Sequence, residues 1–228
     1  CKNASAISSI TKDFLEWVYD FSGTKPSKRD FIFPLTNINN ELNQASDEVE
    51  NEDEKKLLKT ISSRKNKGKK IILFAGSFTE GLDIDPLIFA VKKANKKNKN
   101  WIFILCGQGP KWEILHNTIG QCENTFLPGW VTSETIKTIS KRHSVGLIIY
   151  KNLPHFKISI SNKAYQYLSL GIPIFSSVRG TLEKFINKHN VGVNFDFADR
   201  NCLYKNLNNY FINNKKFTEQ SENALKIY

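Results

Sequence analysis

The chain has 228 residues, 40% of them hydrophobic and 24% charged, a balance typical of a globular protein with one large domain or one domain with appendages. It contains no run of about 18 apolar residues, and its start lacks the apolar core of a signal peptide, so neither a transmembrane helix nor a secretory leader is expected. Much of the net charge of +11 lies in two lysine clusters, residues 64–70 and 92–99. The favoured interpretation is that these clusters form an exposed face of the protein. Attraction to anionic lipid or phosphorylated substrates is the second interpretation, and nucleic-acid binding is less favoured than either.

The four cysteines are far apart in the sequence and form no CxxC pair: Cys1, Cys106, Cys122 and Cys202. Neither a zinc site nor a disulfide framework is expected, and this cysteine usage best fits a protein of the reducing cytoplasm. Cys106 is predicted to be a small core residue. The chain begins with Cys and contains no methionine, although about four or five are expected at a usual frequency of roughly 2%. The sequence is therefore expected to be an internal fragment, unless methionines are missing from it.

The first forty residues predict a strand over 5–10, a helix over 12–21 and a second strand over 30–34. Residues 39–67 are polar and charged, acidic first and basic later, and predict a linker or hinge. A surface helix is expected within that stretch, over residues 52–62.

From residue 69 onward, short apolar runs alternate with segments of helical periodicity. Strands are predicted over 70–75, 101–106, 124–127, 144–150, 172–176 and 191–195, and helices over 85–95, 111–118, 133–140, 162–170, 181–187 and 203–213. Ser133 is the expected cap of the helix that it begins. This alternation predicts an α/β fold with a Rossmann-like, doubly wound parallel sheet.

Ligands of open parallel sheets bind at the carboxyl ends of the strands. The loops expected there are residues 76–81, 107–110, 128–131, 151–161 and 176–180. Glycines in such loops let backbone N–H groups approach phosphate, but taken alone Gly107 and Gly109 are better explained by a tight βα turn. A GxGxxG motif is absent because position 112 is Trp, so an ordinary dinucleotide fold is disfavoured.

The segment 159–174 carries a candidate anion site. Ser161 is a natural N-cap, so N–H groups of Asn162 and Lys163 would point out of the helix start. The helix dipole and the Lys163 ammonium together suit a diphosphate. Gln166, one turn further along the same face, could reach a sugar hydroxyl. On these residues alone, a capped helix with exposed polar side chains is a fully viable interpretation, and the anion site is the less favoured one.

Several stretches occur in a characteristic order: Gly76-Ser77; Gly107-Gln108-Gly109-Pro110 with Leu115 downstream; Pro128-Gly129-Trp130-Val131; Asn162-Lys163 through Gly171-Ile172-Pro173-Ile174; and Gly180-Thr181-Leu182-Glu183. This set resembles the C-terminal domain of GT-B-fold glycosyltransferases, the retaining family 4 and its relatives, over about residues 69–200. The resemblance implies that residues 1–38 are the tail of a preceding acceptor domain with the interdomain crossing. Residues 39–68 would be a charged linker or insertion, 69–200 the donor-binding domain and 201–228 a C-terminal helical segment.

The resemblance also implies roles for individual residues. Gly76 and Ser77 would lie beside the donor phosphates, backbone groups of Trp130 and Val131 would meet the base, and residues 161–163 would hold the diphosphate. Gln166 matches the glutamate that binds the ribose hydroxyls, and Glu183 matches a glutamate near the sugar-facing end, which makes it the one catalytic candidate. The expected donor-binding residues are Gly76, Ser77, Gly107, Gln108, Gly109, Trp130, Val131, Ser161, Asn162, Lys163, Gln166 and Glu183.

Two departures from the family pattern bear on catalysis. The family's paired glutamates, separated by seven residues, would fall at Ile158 and Gln166, and neither is Glu. Thr79-Glu80-Gly81 occupies the place of the basic residues that follow the first glycine loop, so Lys163 is expected to neutralise the diphosphate instead. His155 lies in the loop 151–161 and could line the site, but a solvated loop residue is the favoured interpretation.

The activity implied is transfer of a sugar from a nucleoside diphosphate sugar to a glycan or lipid-linked acceptor of cell-surface polysaccharide or lipopolysaccharide type. Backbone amides and cations would stabilise the leaving diphosphate, and neither a metal nor another cofactor is expected. The acceptor would bind through the preceding domain, so this chain alone is expected to be inactive. Its expected location is the cytoplasm, or the inner face of the membrane as a peripheral protein. Two alternatives remain: a sugar-nucleotide epimerase of the same fold, and a non-catalytic nucleotide-sugar-binding subunit.

Overall fold

The computed structural model of the protein describes residues 3–34, 52–63, 68–97, 99–142, 144–196 and 199–228. Most of the predicted linker therefore lies outside the described residues. The strands are β1 (Ser8–Ser9), β2 (Phe31–Ile32), β3 (Lys70–Ala75), β4 (Trp101–Cys106), β5 (Thr125–Gly129), β6 (Ser144–Ile148), β7 (Ile174–Ser176) and β8 (Gly192–Asn194). The helices are α1 (Lys12–Ser22), α2 (Glu52–Ser62), α3 (Asp85–Lys96), α4 (Trp112–Ile119), α5 (Ser133–Ser140), α6 (Pro154–Lys157), α7 (Asn162–Ser169), α8 (Thr181–His189), α9 (Cys202–Ile212) and α10 (Asn214–Ile227).

Six strands form one sheet in the order β5-β4-β3-β6-β7-β8, and every neighbouring pair is parallel. The order runs outward from β3 to β5 on one side and from β6 to β8 on the other, so it reverses between β3 and β6. This is the doubly wound α/β sheet that the alternation predicted, with its topological switch point at the carboxyl ends of β3 and β6. A separate two-stranded parallel sheet pairs β1 with β2.

The central strands are apolar on both faces because helices cover both faces of the sheet. Ile72 and Phe74 of β3 pack in a core with α3, α4 and α9, while Leu73 and Ala75 face a second core with α2, α5, α7, α8 and α10. Cys106 is 2% exposed in the second core, as predicted, and burial raises the pKa of its thiol.

Strand β5 is longer than predicted. Pro128 and Gly129 belong to the strand and not to the loop assigned over 128–131. The strand is at the edge of the sheet and pairs with β4 alone, which is where a proline can be accommodated.

The predicted cap of α5 is also wrong by one residue. Thr132 has the extended N-cap conformation, and its Oγ1 accepts a hydrogen bond from the Thr135 N–H at 3.2 Å. Ser133 is instead the first residue of the helix, because the neighbouring threonine is held in the cap position by a contact with α2.

Helix α2 is an integral part of the domain and not a surface element. Leu57 is 1% exposed and Ile61 2% exposed, and the helix packs against β5 and α5. The carboxylate of Glu54, also buried, accepts hydrogen bonds from Thr132 N at 2.8 Å and Thr132 Oγ1 at 2.7 Å. Burial alone would raise the pKa of this carboxyl, but the hydroxyls of Thr135 and Thr132, together with the Thr132 N–H, outweigh that effect and lower the pKa. Glu54, one of the acidic residues of the predicted linker, thus helps to position the chain just after β5.

The remaining differences are at element ends, at the C-terminus and in the predicted loop 151–161, where the short helix α6 was not expected. The strands predicted over 5–10 and 30–34 shorten to two residues each, because β1 and β2 pair only with each other. Two helices occupy the predicted C-terminal helical segment: α9 and, beyond Asn213, α10, for which no separate helix was predicted. Helix α10 packs against α7, where the Ser221 hydroxyl donates to Gly171 O at 2.6 Å.

Candidate functional site

Three glycines lie side by side at the carboxyl ends of neighbouring strands. Gly129 ends β5, Gly107 follows β4 and Gly76 follows β3, with φ of +76°, +123° and +135°. The Gly107 N–H donates to Gly129 O at 2.6 Å, and the Gly76 N–H donates to Cys106 O at 3.0 Å. The three loops are therefore joined along one edge of the sheet.

In the loop after β4, only glycine fits at positions 107 and 109. A Cβ at Gly107 would lie 2.0 Å from Gly76 O, and a Cβ at Gly109 would lie 2.7 Å from Phe78 O. The backbone of the second loop packs directly on the backbone of the first, and Phe78 N donates to Gln108 O at 2.9 Å. The edge consequently presents backbone with few side chains, a surface that an anion can approach closely.

The Lys163 side chain lies over this edge at the switch point. A Cβ at Gly76 would lie 2.6 Å from Lys163 Cε and 2.7 Å from Nζ. The ammonium donates to Tyr150 Oη at 2.9 Å and lies 5.2 Å from the Phe74 ring centroid and 5.4 Å from that of Tyr150. Within the described part of the chain, no carboxylate forms an ion pair with it. A half-buried cation thus occupies the place where open α/β sheets bind ligands.

Helix α7 begins where expected, but its cap differs from the prediction. Ser161 has the extended N-cap conformation with φ −72° and ψ 153°, yet its side chain makes no capping hydrogen bond. Its Oγ is buried and has no hydrogen-bond partner among the described residues. Asn162 is exposed at the first helical position. The first N–H groups of a helix have no acceptor within it, so the start of α7 favours negative charge.

The other predicted residues lie along the same edge. Ser77 is exposed after Gly76, and Gln166 is half-buried one turn after Asn162 on α7. Trp130 is 54% exposed after β5, whereas Val131 packs against the core. A Cβ at Gly129 would lie 3.5 Å from Gln108 Nε2, which places the Gln108 amide at the end of β5.

Glu183 is engaged with other groups. It is the third residue of α8, and its carboxylate accepts hydrogen bonds from the Gly180 N–H at 3.3 Å and from the Arg179 guanidinium. Arg179 also donates to Asp196 at 2.8 Å, and its hydrogen bonds to Asp196 and Glu183 raise its pKa. These contacts fix the start of α8 and do not join Glu183 to Lys163.

Two side chains at this edge were missed by sequence reasoning. Tyr150, at the end of the apolar run of β6, is the hydrogen-bond partner of Lys163, and Arg179 is the partner of Glu183. A tyrosine that follows a buried parallel strand faces the ligand edge, and that position was the available signal for Tyr150. His155 is exposed on α6, with its ring centroid 4.2 Å from that of Phe156.

The described residues contain neither a metal-ligand cluster nor a membrane-spanning helix. No group of His, Cys, Asp or Glu side chains in them could hold a metal ion. Nor does any helix there have the length and apolar character needed to cross a membrane.

A family model described as "Glycosyl transferases group 1" matches residues 56–227 of the chain. No curated protein matches the sequence. Among solved structures, the fold is similar to that of WaaG, a glycosyltransferase involved in lipopolysaccharide biosynthesis, with TM-score 0.69 and 15% identity over 96% of this chain and 57% of that one.

Two further structures have comparable similarity. Sucrose-phosphate synthase from Thermosynechococcus elongatus has TM-score 0.68 and 14% identity, over 98% of this chain and 53% of that one. Anabaena Alr3699/HepE in complex with UDP and glucose has TM-score 0.69 and 11% identity, over 98% of this chain and 58% of that one. At these identities the likeness shows the fold alone, and it confirms the predicted Rossmann-like half of a GT-B glycosyltransferase. The chain spans a little over half the length of each of these proteins.

Proposed function

Because this chain belongs to the Glycosyl transferases group 1 family, we propose that it forms the nucleotide-sugar-binding half of an enzyme that transfers a sugar from a nucleoside diphosphate sugar. The observation that carries this proposal is the half-buried Lys163 ammonium, which lies over Gly76 at the switch point without a paired carboxylate in the described chain. A diphosphate is the anion whose charge would complete this arrangement.

In the proposed reaction, the bond between the sugar and the diphosphate breaks, the sugar forms a new bond to a hydroxyl of the acceptor, which loses its proton, and negative charge develops on the leaving diphosphate. Lys163, the N–H groups at the start of α7 and the backbone of the loops at Gly76 and Gly107 would stabilise that charge, because they are already aimed at one edge. For Glu183 we propose a supporting role near the sugar-facing end: its contact with Arg179 holds the start of α8.

Residues 1–38 are proposed to belong to a preceding acceptor domain, and residues 69–200 to the donor domain. The small β1–β2 sheet is separate from the six-stranded sheet, and the surface around it is apolar: Phe21 is 77% exposed, Phe31 53% and Phe33 67%. Such a surface suits packing against further protein. For the acceptor we propose a glycan or lipid-linked molecule of cell-surface type, in line with the involvement of WaaG in lipopolysaccharide biosynthesis.

Peripheral contact with the inner face of a membrane is supported by a basic groove along α3. Lys92, Lys93, Lys96 and Arg200 line this groove around Phe89, and both Lys93 and Arg200 lie over the Phe89 ring. Cations around an aromatic ring suit an anionic lipid surface. Flotation with anionic vesicles tests this assignment.

The chain by itself is expected to release no free nucleoside diphosphate from a nucleotide sugar in the presence of acceptor. The acceptor and the remaining catalytic groups would lie across an interdomain cleft, on the proposed acceptor domain, to which residues 1–38 are assigned as the tail. The measurement compares this chain with a longer parent that carries the proposed acceptor domain, which should release the diphosphate in step with sugar transfer. Robust transfer by the 228-residue chain would refute the domain assignment, and a parent that binds donor without turnover would be a non-catalytic subunit.

Gln166 is proposed to bind the ribose hydroxyls, because it lies one turn from the α7 start, and helical side chains point back towards the N-terminus. Gln166→Leu is expected to weaken ribonucleotides by about 1–3 kcal/mol and to leave deoxyribonucleotides nearly unchanged. Gln166→Glu should give only a small gain, since the nearby diphosphate repels the added charge. Titration calorimetry with both nucleotide types measures this. Equal shifts for ribose and deoxyribose ligands would show that Gln166 does not contact the sugar.

A further inference from the structure

Strands β3 and β6 stop pairing before either strand ends. Their parallel register runs from Ile71 opposite Ser144 to Leu73 opposite Gly146. On its other side, β3 pairs with β4 through to Ala75 opposite Cys106, and β6 pairs with β7 as far as Ile148 opposite Ser176. The pairing between β3 and β6 therefore opens at the switch point.

A tyrosine hydroxyl occupies this opening. If the register continued, the next ladder hydrogen bond would run from Ala75 N to Leu147 O. Instead, the Ala75 N–H donates to Tyr167 Oη at 3.1 Å, and Tyr167 Oη lies 3.5 Å from Leu147 O. The hydroxyl takes the place of one backbone bond and bridges two strands that would otherwise meet.

A glycine in β6 makes room for the ring. A Cβ at Gly146 would lie 2.4 Å from Tyr167 Cδ2 and 2.6 Å from Cε2, so any other residue there would collide with the ring. Tyr167 is 0% exposed. Its ring lies against Gly146, the last residue of β6 that pairs with β3, immediately before these two strands separate.

The same helix face carries the cation of the proposed donor site. Lys163 and Tyr167 are four residues apart on α7, so their side chains project from neighbouring positions of one face. Tyr167 holds Ala75, and the next residue, Gly76, lies beneath the Lys163 ammonium. Lys163 contacts Phe74 and Tyr150 as well, one from each of the two strand segments that have separated.

From this geometry we propose that Tyr167 is a positioning residue for the donor diphosphate. Its hydroxyl keeps β3 and β6 apart at the switch point and connects the Gly76 loop to α7. The loop and the Lys163 ammonium can then contact the same phosphate group. This inference rests on the proposed function, because it assumes that a nucleoside diphosphate binds at this edge. Without the hydroxyl, Ala75 N and Leu147 O are free to pair directly, which would close the space that Lys163 occupies.

The test is Tyr167→Phe, which removes the hydroxyl and keeps the ring. The matched control is Tyr210→Phe: Tyr210 is 4% exposed, and its hydroxyl donates to Gln220 Oε1 at 2.9 Å among α9, α10 and β8, away from the carboxyl ends of β3 and β6. Each variant loses one buried hydroxyl, and thermal melting checks that both remain folded. Binding of UDP and GDP, and of uridine and guanosine as their phosphate-free counterparts, is measured by NMR titration.

We expect Tyr167→Phe to bind the diphosphates about tenfold more weakly, the equivalent of one misplaced hydrogen bond to a charged group, and the nucleosides unchanged. Tyr210→Phe should match the wild-type chain for all four ligands. Unchanged diphosphate affinity in Tyr167→Phe, or an equal loss for diphosphates and nucleosides, would overturn the positioning role and leave the donor site in place. If the wild-type chain binds neither diphosphate, the proposed function fails together with this inference.

Discussion

Gly107→Ala is expected to destabilise the domain by at least about 3 kcal/mol, because a strained φ and a backbone collision add together. Gly107 has φ +123°, which residues with a Cβ rarely adopt, and the added Cβ would lie 2.0 Å from Gly76 O. Neither partner of this collision is a flexible side chain, so relief requires the loops after β3 and β4 to separate. Urea unfolding followed by circular dichroism gives the change in the free energy of unfolding.

Gly23→Ala is the matched control for this substitution. Gly23 also has a positive φ, +64° at the end of α1, but nothing lies within 4 Å of an added Cβ. Its replacement should cost about 1 kcal/mol, the usual penalty for alanine in a left-handed position. If the two variants lose the same stability, the loops after β3 and β4 do not pack on each other as described.

Lys163→Ala is expected to weaken the binding of UDP or GDP by about 1.5–3 kcal/mol, roughly 10- to 150-fold. The substitution removes the ammonium over Gly76 while leaving the glycine loops in place. Affinity of the wild-type chain should fall as the salt concentration rises, since the contact is charge-assisted, and this dependence should be smaller in the variant. Titration calorimetry at two salt concentrations measures both effects.

Lys93→Ala is the appropriate control because its surroundings resemble those of Lys163. The Lys93 ammonium donates to Asn201 Oδ1 at 3.0 Å and lies 5.4 Å from the Phe89 ring centroid and 4.7 Å from that of Tyr204. Lys93 is on α3, however, and not on α7, which carries the proposed donor site. Its loss should leave nucleotide affinity unchanged. Equal affinity in wild type and Lys163→Ala would remove the phosphate role of Lys163.

The central strands and most helices could be predicted from sequence because their signals are local. Strands β3 and β4 coincide with continuous apolar runs that stop at Gly76 and Gly107. A strand buried on both faces needs such a run, and a glycine at its end marks the turn. Helix α2 was likewise placed at its observed bounds, although its burial was not foreseen.

What could not be predicted depends on contacts between residues distant in sequence. The cap of α5 is Thr132 and not Ser133 because Glu54, 78 residues earlier, accepts two hydrogen bonds from it. The interpretation of Pro128 as a loop residue was wrong because its strand is at the sheet edge, and strand order is not visible in a pattern of hydropathy.

The same limit applies at the candidate site. Lys163 was singled out from its place at a helix start, but its partner Tyr150 and the opening held by Tyr167 follow from tertiary structure. One local signal was present: Gly146 interrupts the apolar strand β6, and an isolated glycine in a strand indicates close approach of another group.

The apolar surface at α1 and β2 bears on how the isolated chain behaves in solution. Trp17 and Phe21 stack with ring centroids 5.2 Å apart, and β2 adds exposed Phe31 and Ile32 on a two-stranded sheet. Exposed aromatic rings beside a short strand pair favour self-association, whereas the net charge of +11 opposes it by repulsion between molecules. Because salt screens that repulsion, self-association should increase with ionic strength. The salt concentrations expected to weaken the proposed diphosphate contact should therefore also favour association between chains.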